Sequence, residues 1–148
     1  MGDTWIIFIP EDPLLVLPPN RIAAAIDVLK TLRWRADPLE LLERLPDFIW
    51  CGPEWLTAIR CPCCGAEVKD WWLDEIGRWY ERDHRLLAVE MPCCHNQMSL
   101  NDLDYDRPQG FASSGIEIHN PGGDVEPWEV ERITEAIGTP IRVIWRHL

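Results

Sequence analysis

The sequence is poor in basic residues: Lys and Arg together number 14 among 148 residues, against 25 Asp and Glu. The net charge at neutral pH is therefore −11. Proteins bind nucleic acids largely through Lys and Arg side chains that neutralise phosphates, so this composition disfavours a nucleic-acid partner. It favours a basic protein partner, while acidity that serves solubility alone is the simpler alternative.

Long apolar runs are also missing, since no stretch approaches the ~20 residues of a membrane-spanning helix. The first ten residues, MGDTWIIFIP, lack the basic start and the small-residue cleavage site of a secretory signal peptide. We therefore expect a cytosolic protein with no membrane partner. Disulfide bonds are rare in that compartment, so the six cysteines need another explanation.

Five of the six cysteines lie in two short clusters. The first is the run CPCCG at residues 61–65, which we call the first knuckle. A turn of the form Cys-Pro-x-Cys-Gly brings two thiolates to one ion, and its Gly accepts a positive φ. The spacing predicts a metal site with Cys61 and Cys64 as one ligand pair and Cys63 as a bystander.

The second cluster is the run MPCCH at residues 91–95, the second knuckle. Aligned with the first knuckle, it has Met where the first Cys stands and His where Gly stands. Two ligands must therefore come from Cys93, Cys94 and His95. We favour Cys93 and Cys94, and keep His95 and Cys63 as alternates.

Four such ligands predict one structural Zn²⁺ ion, because a closed four-ligand site leaves no position open for a substrate. Iron–sulfur chemistry fits paired knuckles less well. Thiol redox chemistry is the competing interpretation of a Cys-x-x-Cys pair. A thioredoxin-like motif would stand where a helix starts after a strand, whereas here Gly65 follows the second Cys.

Periodicity and turn residues predict an α+β chain. Asn20 as N-cap starts a helix over residues 21–34, and Asp37 with Pro38 signals a short helix over 37–45. Further helices are expected at residues 69–82 and from Pro127 to Gly138. The predicted strands cover residues 4–9, 48–51, 86–90, 99–103, 113–119 and 141–145.

Without residues 60–105, the predicted order is strand, helix, strand, strand, helix, strand. That order suits a ferredoxin-like antiparallel sheet with two main helices. Residues 1–148 would then be a single domain, and residues 60–105 an embedded zinc-ribbon-like insertion. Trp71, on a different face of the predicted helix from Trp72 and Trp79, is a candidate contact for a protein partner.

The two knuckles resemble those of zinc ribbons. The runs MPCCH, SLNDLDY, IHNP and GTPIRVIW, within residues 61–148, resemble a group of small uncharacterised bacterial proteins. That resemblance implies a bacterial, cytosolic protein and supplies no catalytic residues.

Three functions remain open from the sequence. The first is a protein-binding module of the inhibitor or immunity type, which small size, acidity and a closed metal site favour. The second is a nucleic-acid-associated zinc ribbon. The third is an enzyme, thiol redox or otherwise, that uses His119 or a thiol such as Cys51 or Cys63.

Overall fold

The structure is a computed structural model that describes residues 2–32, 38–41, 47–49, 56–82 and 87–147, with the backbone alone at 38–41 and 47–49. Within these ranges the chain has a mixed α+β architecture with antiparallel strand pairs. The elements in chain order are β1 (Thr4–Pro10), α1 (Pro19–Thr31), β2 (Pro38–Leu41), β3 (Asp47–Ile49), β4 (Ile59–Arg60), α2 (Lys69–Glu81), β5 (Ala88–Glu90), β6 (Gln97–Ser99), β7 (Asp104–Tyr105), β8 (Gly110–Ala112), β9 (Ile116–His119), α3 (Pro127–Ile137) and β10 (Ile141–His147).

Strand β1 is central to a four-stranded antiparallel sheet with the order β10-β1-β9-β2. Successive side chains of a strand point to opposite faces. Ile6 and Phe8 pack in an apolar cluster with residues of α1, β9 and α3, while Ile7 and Ile9 pack in another cluster with Ile144. Burial on both faces explains why this strand is a continuous apolar run.

Helices α2 and α3 agree with the predicted segments. Helix α2 ends at Glu81, one residue before the predicted end. Helix α3 starts at Pro127, where Glu126 and Glu129 form a capping box, and Gly138 ends it with a left-handed φ of 82°. Both helices were predictable because their apolar spacing and their end residues act locally, and the folded chain uses the same residues.

Helix α1 begins earlier than predicted, and Asn20 is not its cap. Pro18 is the N-cap residue and makes no side-chain cap, while Pro19 stands at the first helical position. Its fixed φ is already suited to a helix start, and the N–H that it lacks has no helical partner there. The helix ends at Thr31, because Leu32 is an extended C-cap residue, and it is therefore shorter than predicted; Trp34, the predicted end, lies outside the described residues.

The short helix predicted over residues 37–45 is wrong in its first half. Residues 38–41 form β2, which pairs with β9 through Pro38↔Ile118 and Leu41↔Ile116. The hydrogen bonds offered by β9 outweigh a local cap-and-proline signal, because propensity is weaker than tertiary context. Pro38 is tolerated because it opens the strand at the sheet edge. Residues 42–46 lie outside the described residues.

The hairpin near the second knuckle is shifted from its predicted register. Strand β5 pairs with β6 through Ala88↔Ser99 and Glu90↔Gln97. The predicted partner, residues 99–103, instead turns through a 3-10 helix at Leu100–Asp102, which Ser99 caps by accepting from the Asn101 amide. Competition from this side-chain cap explains why the strand stops at Ser99.

A further apolar cluster lies beneath α2. It contains Trp72 and Trp79 from the helix, Cys61 and Met91 from the two knuckles, and Phe111 from β8. No helix in the described ranges is both long and apolar enough to cross a membrane.

Arg142 at the start of β10 joins the four-stranded sheet to the region that follows the second knuckle. Its Nη1 donates to the backbone oxygen of Asn101 at 2.7 Å and to that of Gln109 at 3.1 Å. Its Nε donates to a carboxylate oxygen of Glu11 at 2.7 Å. One guanidinium thus satisfies acceptors from three separate segments.

Candidate metal centre

The first knuckle is a closed backbone turn. The Cys61 amide donates to the Ala66 carbonyl at 2.9 Å, and the Gly65 amide donates to the Cys61 carbonyl at 2.9 Å. Gly65 has φ 75°, a conformation that costs other residues about 1–2 kcal/mol. The run CPCCG therefore folds as its spacing predicts, with the Gly where the chain turns back.

The second knuckle repeats this turn. The Met91 amide donates to the Asn96 carbonyl at 2.9 Å, and the His95 amide donates to the Met91 carbonyl at 2.9 Å. His95 has φ 61°, as Gly65 has φ 75°. The second turn is thus equivalent to the first position by position, and His95 takes the place of the glycine.

The structure brings the four favoured ligands together. The Sγ atoms of Cys61, Cys64, Cys93 and Cys94 all lie within 4.8 Å of one another. Two contacts cross between the knuckles: Cys61 Sγ to Cys94 Sγ is 3.7 Å, and Cys64 Sγ to Cys93 Sγ is 3.3 Å. Neither His95 nor Cys63 belongs to this group, which is the only one of its kind in the described part of the chain.

The spacing of the sulfur atoms fits a tetrahedral metal ion. With a Zn–S bond of about 2.3 Å, the edge of the sulfur tetrahedron is about 3.8 Å. The two crossing contacts lie close to that value, and both are far longer than a disulfide bond of about 2.05 Å. All five described cysteines are free thiols. The donor set, four sulfurs from two turns, is one that Zn²⁺ prefers.

The four candidate ligands differ in their exposure. Cys61 is 1% exposed and belongs to the apolar cluster beneath α2, while Cys94 is half-buried against that cluster. Cys64 and Cys93 are exposed. The centre therefore sits at the rim of the cluster, with one ligand anchored inside it.

Crowding of the thiols disfavours the ionisation of Cys93. Cys93 is exposed as a residue, but the neighbouring groups displace water from its thiol; this desolvation, followed by hydrogen bonding with the thiols of Cys64, Cys61 and Cys94, raises the pKa of Cys93 to about 12. A divalent cation reverses this balance because thiolates, not thiols, are its ligands, and binding releases their protons. Metal binding at this centre must therefore weaken as the pH falls.

Asn96 is a residue at the centre that the sequence reasoning missed. Its Nδ2 lies 3.2 Å from Cys63 Sγ and 3.3 Å from Cys94 Sγ. An amide N–H directed at a ligand sulfur holds that ligand in place and stabilises its charge. The signal was present in the alignment of the knuckles, because Asn96 stands where the first knuckle has the inert Ala66.

The other candidate residues lie apart from this group. Trp71 is half-buried and packs against the apolar cluster beneath α2. His119 stacks on Trp5, with ring centroids 4.8 Å apart, and its Nε2 faces a carboxylate oxygen of Asp3 at 3.3 Å. Cys51 lies outside the described residues. His119 and Cys63 thus have different neighbours, and no shared catalytic group is formed from them in the described residues.

No family model matches the chain, and neither the curated proteins nor the solved structures contain a match to it.

Proposed function

We propose that this chain is a small zinc-stabilised module that binds a basic protein. The observation that carries the zinc proposal is the group of four cysteine sulfurs within 4.8 Å of one another on two equivalent turns. The protein-binding proposal is supported by the net charge of −11, which attracts cationic surfaces.

The role of the ion in this proposal is structural. Four protein sulfurs complete a tetrahedral site and leave no open position for a substrate. Cys61 is buried in the same apolar cluster as Trp72 and Trp79, so a bound ion ties both knuckles to the underside of α2. Binding free energy at such a site is folding free energy, because the site does not exist in the unfolded chain.

A zinc centre also adds to the acidity. Four thiolates and one Zn²⁺ carry a net charge of about −2, and residues 61–105 already contain nine acidic and four basic side chains. This favours a cationic protein partner over a nucleic-acid backbone. The concrete form of the proposal is an inhibitor or immunity-type protein that neutralises a basic partner such as a toxin domain.

For the architecture, we propose a ferredoxin-like unit with the zinc knuckles inserted in its middle. The support is the sheet order β10-β1-β9-β2, with the knuckles at residues 61–65 and 91–95 falling between β2 and β9. Outside the insertion, β1, α1, β2, β9, α3 and β10 follow one another in the order of a ferredoxin-like unit, although β2 replaces the strand predicted at residues 48–51, which lies in β3 and pairs with β8 outside this sheet. The proposal that residues 1–148 form one domain rests on the same arrangement.

The first experiment measures the metal content of protein purified without added metal, by elemental analysis alongside native mass spectrometry. We expect one zinc per chain. We also expect that a chelator removes the ion and that α2 then unfolds. The proposal fails if the protein carries no metal and its thiols oxidise in pairs. The 3.3 Å contact between the sulfurs of Cys64 and Cys93 is what favours redox chemistry in that case.

The protein-binding half has a separate test. Zinc-loaded protein is mixed with a panel of cationic toxin domains and with neutral domains of similar size, and complexes are resolved by size-exclusion chromatography. A stable complex with a cationic domain that dissociates in high salt supports the proposal. If no cationic domain is retained, the inhibitor or immunity role is withdrawn, and gel shifts at low salt test the nucleic-acid alternative.

A further inference from the structure

Helix α2 exposes an apolar stripe on the side that does not face its core. Leu73 and Tyr80 are each 44% exposed, and Gly77 lies between them. Positions 73, 77 and 80 follow the i, i+4, i+7 spacing that places residues on one face of a helix. We call Leu73, Gly77 and Tyr80 the α2 stripe.

The stripe stands on a firmly held helix. On the buried side, Trp72 is 2% exposed, Ile76 is 9% exposed and Trp79 is fully buried. The Trp72 indole N–H donates to the Tyr105 hydroxyl at 3.1 Å, and that hydroxyl donates to the Leu100 carbonyl at 2.6 Å. The core face of α2 is thus already occupied, and the exposed stripe is a second apolar surface.

Gly77 has no role within the described fold that accounts for it. Glycine inside a helix costs about 1 kcal/mol relative to alanine. A Cβ built at position 77 meets no atom within 4 Å, and the residue has no positive φ. Between Leu73 and Tyr80, the missing side chain leaves a notch that a second backbone can approach closely.

Unpaired carboxylates border the stripe. Asp70, Asp74 and Glu81 are exposed on its solvent side, and none forms an ion pair within the described ranges. On the far side of the helix, by contrast, Glu75 binds both Arg78 at 2.8 Å and Arg82 at 2.9 Å. Arg78 and Arg82 thus share the carboxylate of Glu75, and the ammonium of Lys69 donates to the Leu56 carbonyl at 2.6 Å, while the edge beside the stripe carries three carboxylates.

We propose that the α2 stripe is the docking site for one amphipathic, basic helix of the partner. The apolar side of that helix packs across Leu73 and Tyr80 over the notch at Gly77, and its Lys or Arg side chains face the three carboxylates. A second copy of this chain does not suit the site, because it would place like charges against each other. This inference rests on the proposed protein-binding function and names the surface that performs it.

The same geometry makes docking dependent on the metal. Trp72 and Trp79 hold α2 on the apolar cluster that also contains Cys61. Removal of the ion loosens the knuckles, and with them the support of the helix that presents the stripe. We therefore expect the chelated protein to lose partner affinity as well as metal.

The test uses a fluorescein-labelled synthetic 18-residue helix with Leu on one face and Lys on the other, titrated with zinc-loaded full chain and followed by fluorescence anisotropy. The matched probe carries Glu in place of each Lys. We expect the Lys peptide to bind with an affinity that falls as salt rises, and the Glu peptide not to bind.

Three variants locate the site. Gly77→Ala should raise Tm by about 3 °C while it weakens peptide binding about tenfold, because the added methyl stabilises the free helix and fills the notch. Leu73→Ala should weaken binding about tenfold by removing an apolar anchor. Leu14→Ala is the matched control, since Leu14 is 56% exposed but lies outside α2, and it should leave binding unchanged.

Opposite signs for stability and binding in Gly77→Ala exclude unfolding as the cause of weaker binding. If the Lys peptide binds but neither Gly77→Ala nor Leu73→Ala weakens it, the stripe is not the site and the protein-binding function stands. If neither the Lys peptide nor any cationic domain binds, both proposals fall. A dimer in sedimentation experiments that Leu73→Ala dissociates would replace the basic helix with a second copy as occupant.

Discussion

Met91 lies in the second knuckle at the backbone position that Cys61 holds in the first. Each donates its amide to the carbonyl five residues ahead and accepts, at its own carbonyl, from the amide four residues ahead. Cys61 brings a thiol to the centre, whereas Met91 is fully buried in the apolar cluster. In the second knuckle, Cys93, the counterpart of Cys63, therefore joins Cys94 in the group of four sulfurs.

This equivalence predicts a rescue. Cys93→Ser should lose zinc and cost about 3 kcal/mol or more of folding free energy, because one of four ligands is gone. The double variant Met91→Cys with Cys93→Ser should regain one zinc per chain, since the new thiol stands where a ribbon-type knuckle has its first ligand. Elemental analysis and urea unfolding of the three proteins check both statements.

Cys63→Ser serves as the control for that series, because Cys63 lies beside Asn96 and outside the group of four sulfurs. It should keep one zinc per chain and change the free energy of unfolding by less than about 1 kcal/mol. Loss of zinc in this variant would mean that Cys63 is a ligand and that the pairing of the knuckles is different.

His95 and Gly65 share a left-handed backbone, and this yields a second prediction. His95→Gly should retain zinc and raise the free energy of unfolding by about 1 kcal/mol, because glycine has no Cβ to strain at positive φ. Gly65→Ala should lower it by about 1–2 kcal/mol at the equivalent position. Thermal unfolding with metal analysis measures both, and zinc loss in His95→Gly would instead make His95 a ligand.

Local signals explain which parts of the fold the sequence predicts. Helices α2 and α3 are read from apolar spacing and from Gly138 at a helix end, features that act within a few residues. Strand β2 is not readable in this way, because its partner β9 lies more than 70 residues further along the chain. Only that long-range pairing converts residues 38–41 from a predicted helix to a strand.

The candidate metal centre, too, is predictable from the sequence only in part. The run CPCCG alone predicts the first knuckle, because the glycine at its last position indicates a turn. In the second knuckle, the sequence leaves Cys93, Cys94 and His95 open, and the backbone hydrogen bonds of Met91 and His95 are needed to fix the register. No motif predicts Asn96 at the sulfurs, although the alignment of the two knuckles places it opposite Ala66.

Arg142 provides a third prediction, on the joint between the sheet and the region after the second knuckle. Arg142→Lys should cost about 2–3 kcal/mol, because one ammonium cannot reach the acceptors on Asn101, Gln109 and Glu11 together, and some are then left buried and unpaired. Arg132→Lys, an exposed position on α3, is the control and should change stability by less than about 0.5 kcal/mol. Equal effects from the two variants would contradict a joining role.

The fourth prediction concerns pH. Burial acts to raise the pKa of Asp106, but hydrogen bonds from the hydroxyl and amide of Thr57, together with backbone amides, lower it overall. A carboxyl whose folded pKa is lowered contributes stability above its unfolded pKa of about 3.9, and loses that contribution as the pH falls through the folded value.

Asp106→Asn should therefore be less stable than the natural chain at pH 7, and the difference in stability should shrink as the pH falls below the unfolded pKa of about 3.9 and through the lower folded value. Urea unfolding at a series of pH values measures the difference, and comparison of the two proteins cancels the shared loss of metal in acid. A difference that stays constant down to pH 2 would mean that the charge of the Asp106 carboxylate does not contribute to stability.

The burial of Cys61 should make the rate of metal release depend on how fast the apolar cluster beneath α2 opens. A chelator in solution reaches Cys64 and Cys93 directly, but Cys61 is 1% exposed and lies among the side chains beneath α2. A bound ion can be released completely only after that packing opens. The slowest step of metal exchange should therefore measure the rate of local opening of the cluster beneath α2. Stopped-flow chelation would then measure an opening rate without any attached label, and substitutions such as Trp79→Phe should accelerate it.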